Sequence, residues 1–144
     1  MARSLVDTNI LIYARDLSET EKRQRAIDVI DGLAARGELV LSVQCLNEFS
    51  AASLRRGVAI SEVQAAVLRW RDLGDVVRQD EAATTAALDA VARHRLSFWD
   101  ALIWATARDA AVPIVYTEDF QHGRELEGVR FINPFRTETP WRQP

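Results

Sequence analysis

A chain of 144 residues, 48% hydrophobic and 27% charged, can bury a core and has the composition of an ordinary globular protein, which excludes a fibrous or wholly disordered one. Its single cysteine, Cys45, excludes an internal disulfide and argues against a structural zinc site. The formal net charge of −3 looks unsuited to a nucleic-acid partner, but charge alone decides nothing here.

In chain order, Ser4 to Val6 reads as a short strand, followed by the turn Asp7-Thr8-Asn9 and a helix-compatible run from Ile10 to Arg15. Glu19 to Arg36 is an amphipathic helix, with Ala26, Ile27, Ile30, Leu33 and Ala34 on one face and Gly37 placed to end it. Leu39 to Leu41 reads as a second strand, and Ser42 can cap a helix that runs to about Arg56. Cys45, among Val43, Leu46 and Phe49, reads as a small buried hydrophobe. Ser61 is expected to open a helix that stops at Gly74, Asp75 to Arg78 a third strand, and Asp80 to His94 an alanine-rich helix. Ser97 then starts an apolar helix from Phe98 to Ala111, with Pro113 marking its end. Ile114 to Tyr116 and Val129 to Ile132 are the last strand candidates. One domain is expected over 1–135, and an irregular, proline-rich tail over 136–144. The N-terminus meets an acid at Asp7 before any apolar stretch develops, and Phe98 to Ala107 is too short to span a bilayer. A cytoplasmic protein without a membrane partner is the expectation.

Short apolar strands alternating with helices predict an α/β fold with a mostly parallel sheet, in which sites form at the carboxyl ends of strands. Asp7 and Asp119 fall at such places. Each has an ordinary explanation too, as a helix N-cap and a turn residue. Singly, Asp100 could belong to a capping box begun at Ser97 and Glu48 could be a solvent-facing helix residue, but Asp100 is the only charge in FWDALIWATA, and Glu48 is flanked by Leu46 and Phe49. Neither has a base four residues on, so a buried carboxylate at either position needs compensation from elsewhere. Two carboxylates about 4 Å apart repel by roughly 4 kcal/mol at an effective dielectric near 20. Four acids gathered together would therefore share a cation or take up protons. An all-oxygen site suits Mg²⁺ or Mn²⁺. Setting those four acids aside leaves 17 acidic against 18 basic residues, so the remaining chain is balanced. His94 and His122 show no paired metal-binding spacing and read as non-ligands.

The blocks LVDTNILIYARD, QCLNEFSAA, LSFWDALIWATA and YTEDFQHG, in this order and each carrying its acid, resemble those of PIN-domain nucleases, and most closely the VapC toxins of bacterial VapBC toxin–antitoxin pairs. The resemblance runs from about residue 4 to about residue 135. It implies an α/β/α sandwich and a Mg²⁺- or Mn²⁺-dependent endoribonuclease. Asp7 and Asp100 would be the firmest metal ligands, Glu48 the helix-borne partner and Asp119 the fourth acid, with Glu118 an alternative at that position. Asn9 and Thr117 fall where similar proteins support the metal site. Arg15, Arg95, Arg108 and Arg124 are candidate contacts to the RNA backbone, and equally candidate surface arginines. The resemblance further implies a homodimer held inactive by a VapB-like antitoxin. The helices at 19–36 and 43–56 are the place to look for the antitoxin's groove. Alternatives are a housekeeping RNA-processing PIN nuclease and a PIN-like module that binds RNA or protein without cutting.

Overall fold

The structure is a computed structural model that describes residues 2–136. The expected tail at 136–144 lies outside the described residues except for Arg136. Six strands, β1 (Ser4–Val6), β2 (Leu39–Ser42), β3 (Asp75–Val77), β4 (Ile114–Tyr116), β5 (Glu125–Leu126) and β6 (Val129–Ile132), form one sheet in the order β3-β2-β1-β4-β6-β5. All neighbours pair in parallel except β5 with β6. The mostly parallel sheet expected from the sequence is therefore present. Only the two-residue β5 escaped sequence reasoning, since so short a segment carries no periodicity.

Six helices connect the strands: α1 (Thr8–Tyr13), α2 (Thr20–Ala35), α3 (Val43–Arg55), α4 (Ile60–Leu73), α5 (Glu81–His94) and α6 (Phe98–Asp109). The chain steps from β1 to β2 to β3 in one direction, then returns across the sheet to place β4 on the other side of β1. Right-handed crossovers in opposite directions put their helices on opposite faces. In agreement, α1 to α4 pack among themselves and α5 packs on α6. The strands are buried on both faces as such a sandwich requires: every residue of β1 and β2 is buried.

Local chemistry sets the helix ends. Ser42 accepts a hydrogen bond from the Cys45 amide at 3.0 Å and Ser97 one from the Asp100 amide at 3.2 Å, so both serines are the N-caps expected. α4 instead begins at Ile60, one residue before Ser61, and its N-cap Ala59 makes no side-chain bond. At the end of α2, Gly37 has φ +69°, and the Glu38 amide reaches back to the Leu33 carbonyl at 2.9 Å, a closure that glycine permits without strain. Gly74 has a different reason. A Cβ there would stand 2.8 Å from Leu39 Cγ and 2.9 Å from the Leu39 carbonyl oxygen, so glycine lets α4 turn into β3 directly against β2.

Gly74→Ala should cost about 1–3 kcal/mol, because the backbone of a central strand cannot move aside. The midpoint of chemical denaturation measures this directly.

Candidate active site

The reversal of strand order falls between β1 and β4, the place beyond the strand carboxyl ends where sites form in such sheets. Asp7 follows β1, and its amide donates to the Tyr116 carbonyl of β4 at 3.0 Å. Asp7 also caps α1: its Oδ1 accepts from the Thr8 amide at 2.7 Å, while Oδ2 accepts from the Thr117 hydroxyl at 2.7 Å. Only 8% of Asp7 is exposed. Burial pushes its carboxyl up to about 6; the bonds from Thr117 and Thr8 oppose the shift, and the charges of Asp119 and Glu48 add to it. No basic side chain contributes to lowering it.

Thr117 and Asn9 join this carboxylate to a second one. The Thr117 hydroxyl accepts from the Asp119 amide at 3.2 Å, and Asn9 Nδ2 donates to Asp119 Oδ2 at 3.0 Å. Asn9 Oδ1 accepts from the Glu118 amide at 3.3 Å, so one asparagine grips the loop after β4 at two points. Glu118 itself turns away. Its carboxylate pairs with Lys22 at 2.5 Å, and Lys22 also lies over the rings of Tyr13 and Phe135. The sole lysine thus anchors the residue beside Asp119. Asp119 is the one whose charge is felt by both Asp7 and Asp100.

Asp100 stands in the first turn of α6, half-buried, where the helix N-terminus favours an anion. Burial raises its pKa, Ser97 opposes this and the charge of Asp119 adds to it. Behind it, Ala101 to Ala107 are all buried, so the helix is the apolar one expected. Glu48 departs from expectation. It is exposed on α3, and Gln44 Nε2 donates to its Oε1 at 2.6 Å, so its flanking apolar residues do not enclose it. Cys45 is buried as expected, with its thiol 3.7 Å from Asp7 Oδ1; burial and that neighbouring charge hold it protonated.

The four acids therefore act on one another in pairs, through Asp7 and Asp119. Among the described residues, no three His, Cys, Asp or Glu side chains stand close enough to hold an ion as they lie. Asp119 is turned to Asn9, Glu48 to Gln44, and Asp7 to Thr117 and Thr8. In chemistry the donor set fits a hard cation: it is all oxygen, and its buried member is destabilised as an anion with no internal cation to relieve it.

The arginines divide. Arg108 pairs with Asp109 at 3.1 Å and Glu127 at 3.4 Å and stacks on Trp104, at the far end of α6 from Asp100. Arg15 lines shallow grooves between α1, α2, α3 and α4 rather than the acid crevice. Arg124 donates to the His94 carbonyl at 3.3 Å, and Arg95 takes a left-handed conformation at the end of α5, both near the corner that leads into α6. His122 accepts from the Asn133 amide at 3.1 Å.

Sequence reasoning overlooked the cleft beside the acids. About 610 Å³ in volume, it lies beyond the carboxyl ends of β2 and β3 and is lined by Gln44 and Glu48 of α3, by Arg78 and Gln79 after β3, and by Trp99 of α6. The rule that sites form at strand carboxyl ends would have pointed to Arg78, the residue after β3.

The family profile described as the PIN domain matches residues 4–124. This chain belongs to the PIN-domain family. The sequence has no match among curated proteins. Among solved structures, this PIN domain is similar to a toxin–antitoxin complex from Klebsiella pneumoniae, with TM-score 0.68, 17% identity and coverage of 92% of this chain and 98% of that one. It is also similar to VapC20 of Mycobacterium tuberculosis, a sarcin-ricin loop cleaving toxin, with TM-score 0.60, 21% identity and coverage of 81% and 89%. VapBC2 of Rickettsia felis, bound to a fragment of its promoter DNA, gives TM-score 0.64 and 12% identity over 89% and 96%. At these identities the likeness is one of fold.

A carboxyl raised to about 6 binds its proton more tightly in the folded chain than in the unfolded one, so its contribution to stability grows as pH falls from about 6 towards 4. In chelator, the wild type should gain up to about 3 kcal/mol over that window from this residue. Asp7→Asn should unfold at a higher temperature than the wild type at pH 8, and the two melting temperatures should converge near pH 4. Parallel melting curves across the range would refute the assignment.

Proposed function

We propose that this PIN-domain protein is a Mg²⁺- or Mn²⁺-dependent endoribonuclease and the toxin of a toxin–antitoxin pair. The observation that carries the reading is Asp7: a buried carboxylate at the strand-order reversal, in the field of two further acids and offset by no basic side chain among the described residues. Asp7, Asp100, Asp119 and Glu48 would hold the metal. When bound, the metal would neutralise charge on the scissile phosphate and acidify water. This requires Asp119 and Glu48 to rotate from Asn9 and Gln44, a change within reach of exposed side chains. Asn9 and Thr117 hold the backbone of the Asp119 loop beside Asp7 through the Glu118 and Asp119 amides, so the loop stays in place while the Asp119 side chain turns. The carboxylates accept hydrogen bonds from a water opposite the leaving 3′ oxygen and orient it for in-line attack. Cleavage by water leaves 5′-phosphate and 3′-hydroxyl ends, whereas attack by the RNA 2′-hydroxyl would leave a cyclic phosphate.

The antitoxin reading draws on the structural relatives and on an exposed apolar groove of about 500 Å³ between α3 and α4, where Leu54, Ile60 and Leu68 reach solvent. Contiguous exposed apolar surface of this kind marks a partner site. α3 is one of the two helices singled out from the sequence. The other, α2, uses its apolar face on the core through Ala26, Val29, Ile30 and Leu33, and α4 takes its place. The expected homodimer rests on the family resemblance. For location, among the described residues no helix is long and apolar enough to cross a membrane.

Asp100→Asn should lower RNA cleavage by about a hundredfold or more while leaving the circular dichroism spectrum unchanged. Retained cleavage would remove Asp100 from the site. Mg²⁺ or Mn²⁺ should raise the wild-type melting temperature, and less so that of Asp7→Asn; a melting curve indifferent to both ions would oppose the metal reading. Expression of the wild type alone should arrest growth, whereas expression of Asp100→Asn to the same level should not. Harmless accumulation of folded protein would overturn the toxin role.

A further inference from the structure

We infer that the cleft beside the acids is a nucleobase subsite, in which Trp99 stacks on an unpaired base of the RNA next to the bond to be cut. The inference deepens the ribonuclease reading and rests on it. Three observations lead to it. Trp99 is 61% exposed, although it sits in the first turn of a helix in which Ala101 to Ala107 are all buried. Its contact with Phe98 is edge-on at 5.3 Å, which leaves broad indole surface open to the cleft. An exposed aromatic on a cleft wall is a stacking platform for any base.

The second observation is Gln44. It is a buried residue of the cleft lining, its Nε2 is committed to Glu48, and its Oε1 has no hydrogen-bond partner among the described residues. A buried acceptor without a donor is unfavourable, and an N–H from a base edge would supply the donor once the amide turns towards the cleft. The third is charge. Arg78 makes no ion pair among the described residues and is an exposed residue of the cleft lining; its neighbour Gln79 is fixed by accepting from the Thr106 hydroxyl at 2.8 Å. Arg78 can receive the phosphate that follows the base. Glu48 in the same lining repels a phosphate brought beside it, which favours a neutral ring over the backbone at that part of the cleft. The volume of about 610 Å³ lies in the range of small-ligand sites. Position completes the case: the cleft shares Glu48 with the acid group, and Trp99 adjoins Asp100, so a seated base puts its own backbone at the carboxylates.

The test compares binding of a labelled oligouridylate with that of the same ribose-phosphate chain lacking bases, in Mg²⁺ and on the Asp100→Asn background so that the probe stays intact. With Trp99 present, the base-bearing chain should bind about 5- to 150-fold more tightly than the abasic one. Trp99→Ala should abolish that difference and Trp99→Phe should retain most of it. Since Trp99 is exposed, both variants should keep the parent's circular dichroism spectrum. Equal binding of the two chains by the parent, or an undiminished preference in Trp99→Ala, would overturn the subsite and leave the cleft to a segment of a protein partner. Wild-type cleavage is scored separately: its absence together with a base preference erased by Trp99→Ala would end the ribonuclease reading and keep the subsite.

Discussion

Asp7 ties the fold of this protein to its chemistry. Its backbone closes the last rung between β1 and β4, its Oδ1 caps α1, and its Oδ2 holds Thr117 at the start of the loop that carries Asp119. Those bonds keep it in place, but they do not make it comfortable as an anion, because burial outweighs them and the neighbouring charges are of its own sign. An interior carboxylate in this condition takes up either a proton or a cation. The sheet topology is what puts it there. Only where the strand order reverses do two adjacent strands send their following segments to opposite faces and leave room above the sheet.

The other acids depend on that placement in different degrees. Asp119 is linked to Asp7 through Thr117 and Asn9, and the loop is anchored on its other side by the pair of Glu118 with Lys22. Asp100 approaches from a helix on the other face, with its amide held by Ser97. Glu48 is the least constrained, an exposed side chain one helical turn from its partner Gln44. Their contributions should be ordered accordingly, with the buried acid the most sensitive to loss of its positioning partners. The same geometry gives the neighbouring cleft its character. Two helices and a strand end border it, α3 from the β2–β3 crossover and Arg78, Gln79 and α6 from the β3–β4 crossover, so no local segment contains it.

Much of this was legible in the chain. The alternation of short apolar strands with amphipathic helices determined the α/β class and the parallel sheet, because burial on both faces demands continuous apolar strands and a crossover helix between them. Ser42, Ser97 and Gly37 marked helix ends by chemistry that acts over three or four residues, and the structure uses all three. Asp7 and Asp119 were conspicuous because each follows a strand. The order and spacing of four blocks pointed to the PIN family, of which the chain proves to be a member.

What the chain could not reveal alone depends on contacts across long stretches of sequence. The apolar neighbours of Glu48 belong to the buried face of α3 while the acid itself points to solvent, a matter of helix orientation against the sheet. Trp99, inside a run apolar on nearly every side, lies in the turn that projects past the sheet, and so it is exposed. Glu118 and Asp119 take different partners, Lys22, 96 residues from the glutamate, and Asn9, 110 residues from the aspartate. Local propensity and periodicity act within a few residues and determine elements; the side on which each element packs is decided by the assembled core, and with it which side chains meet at the end of the sheet.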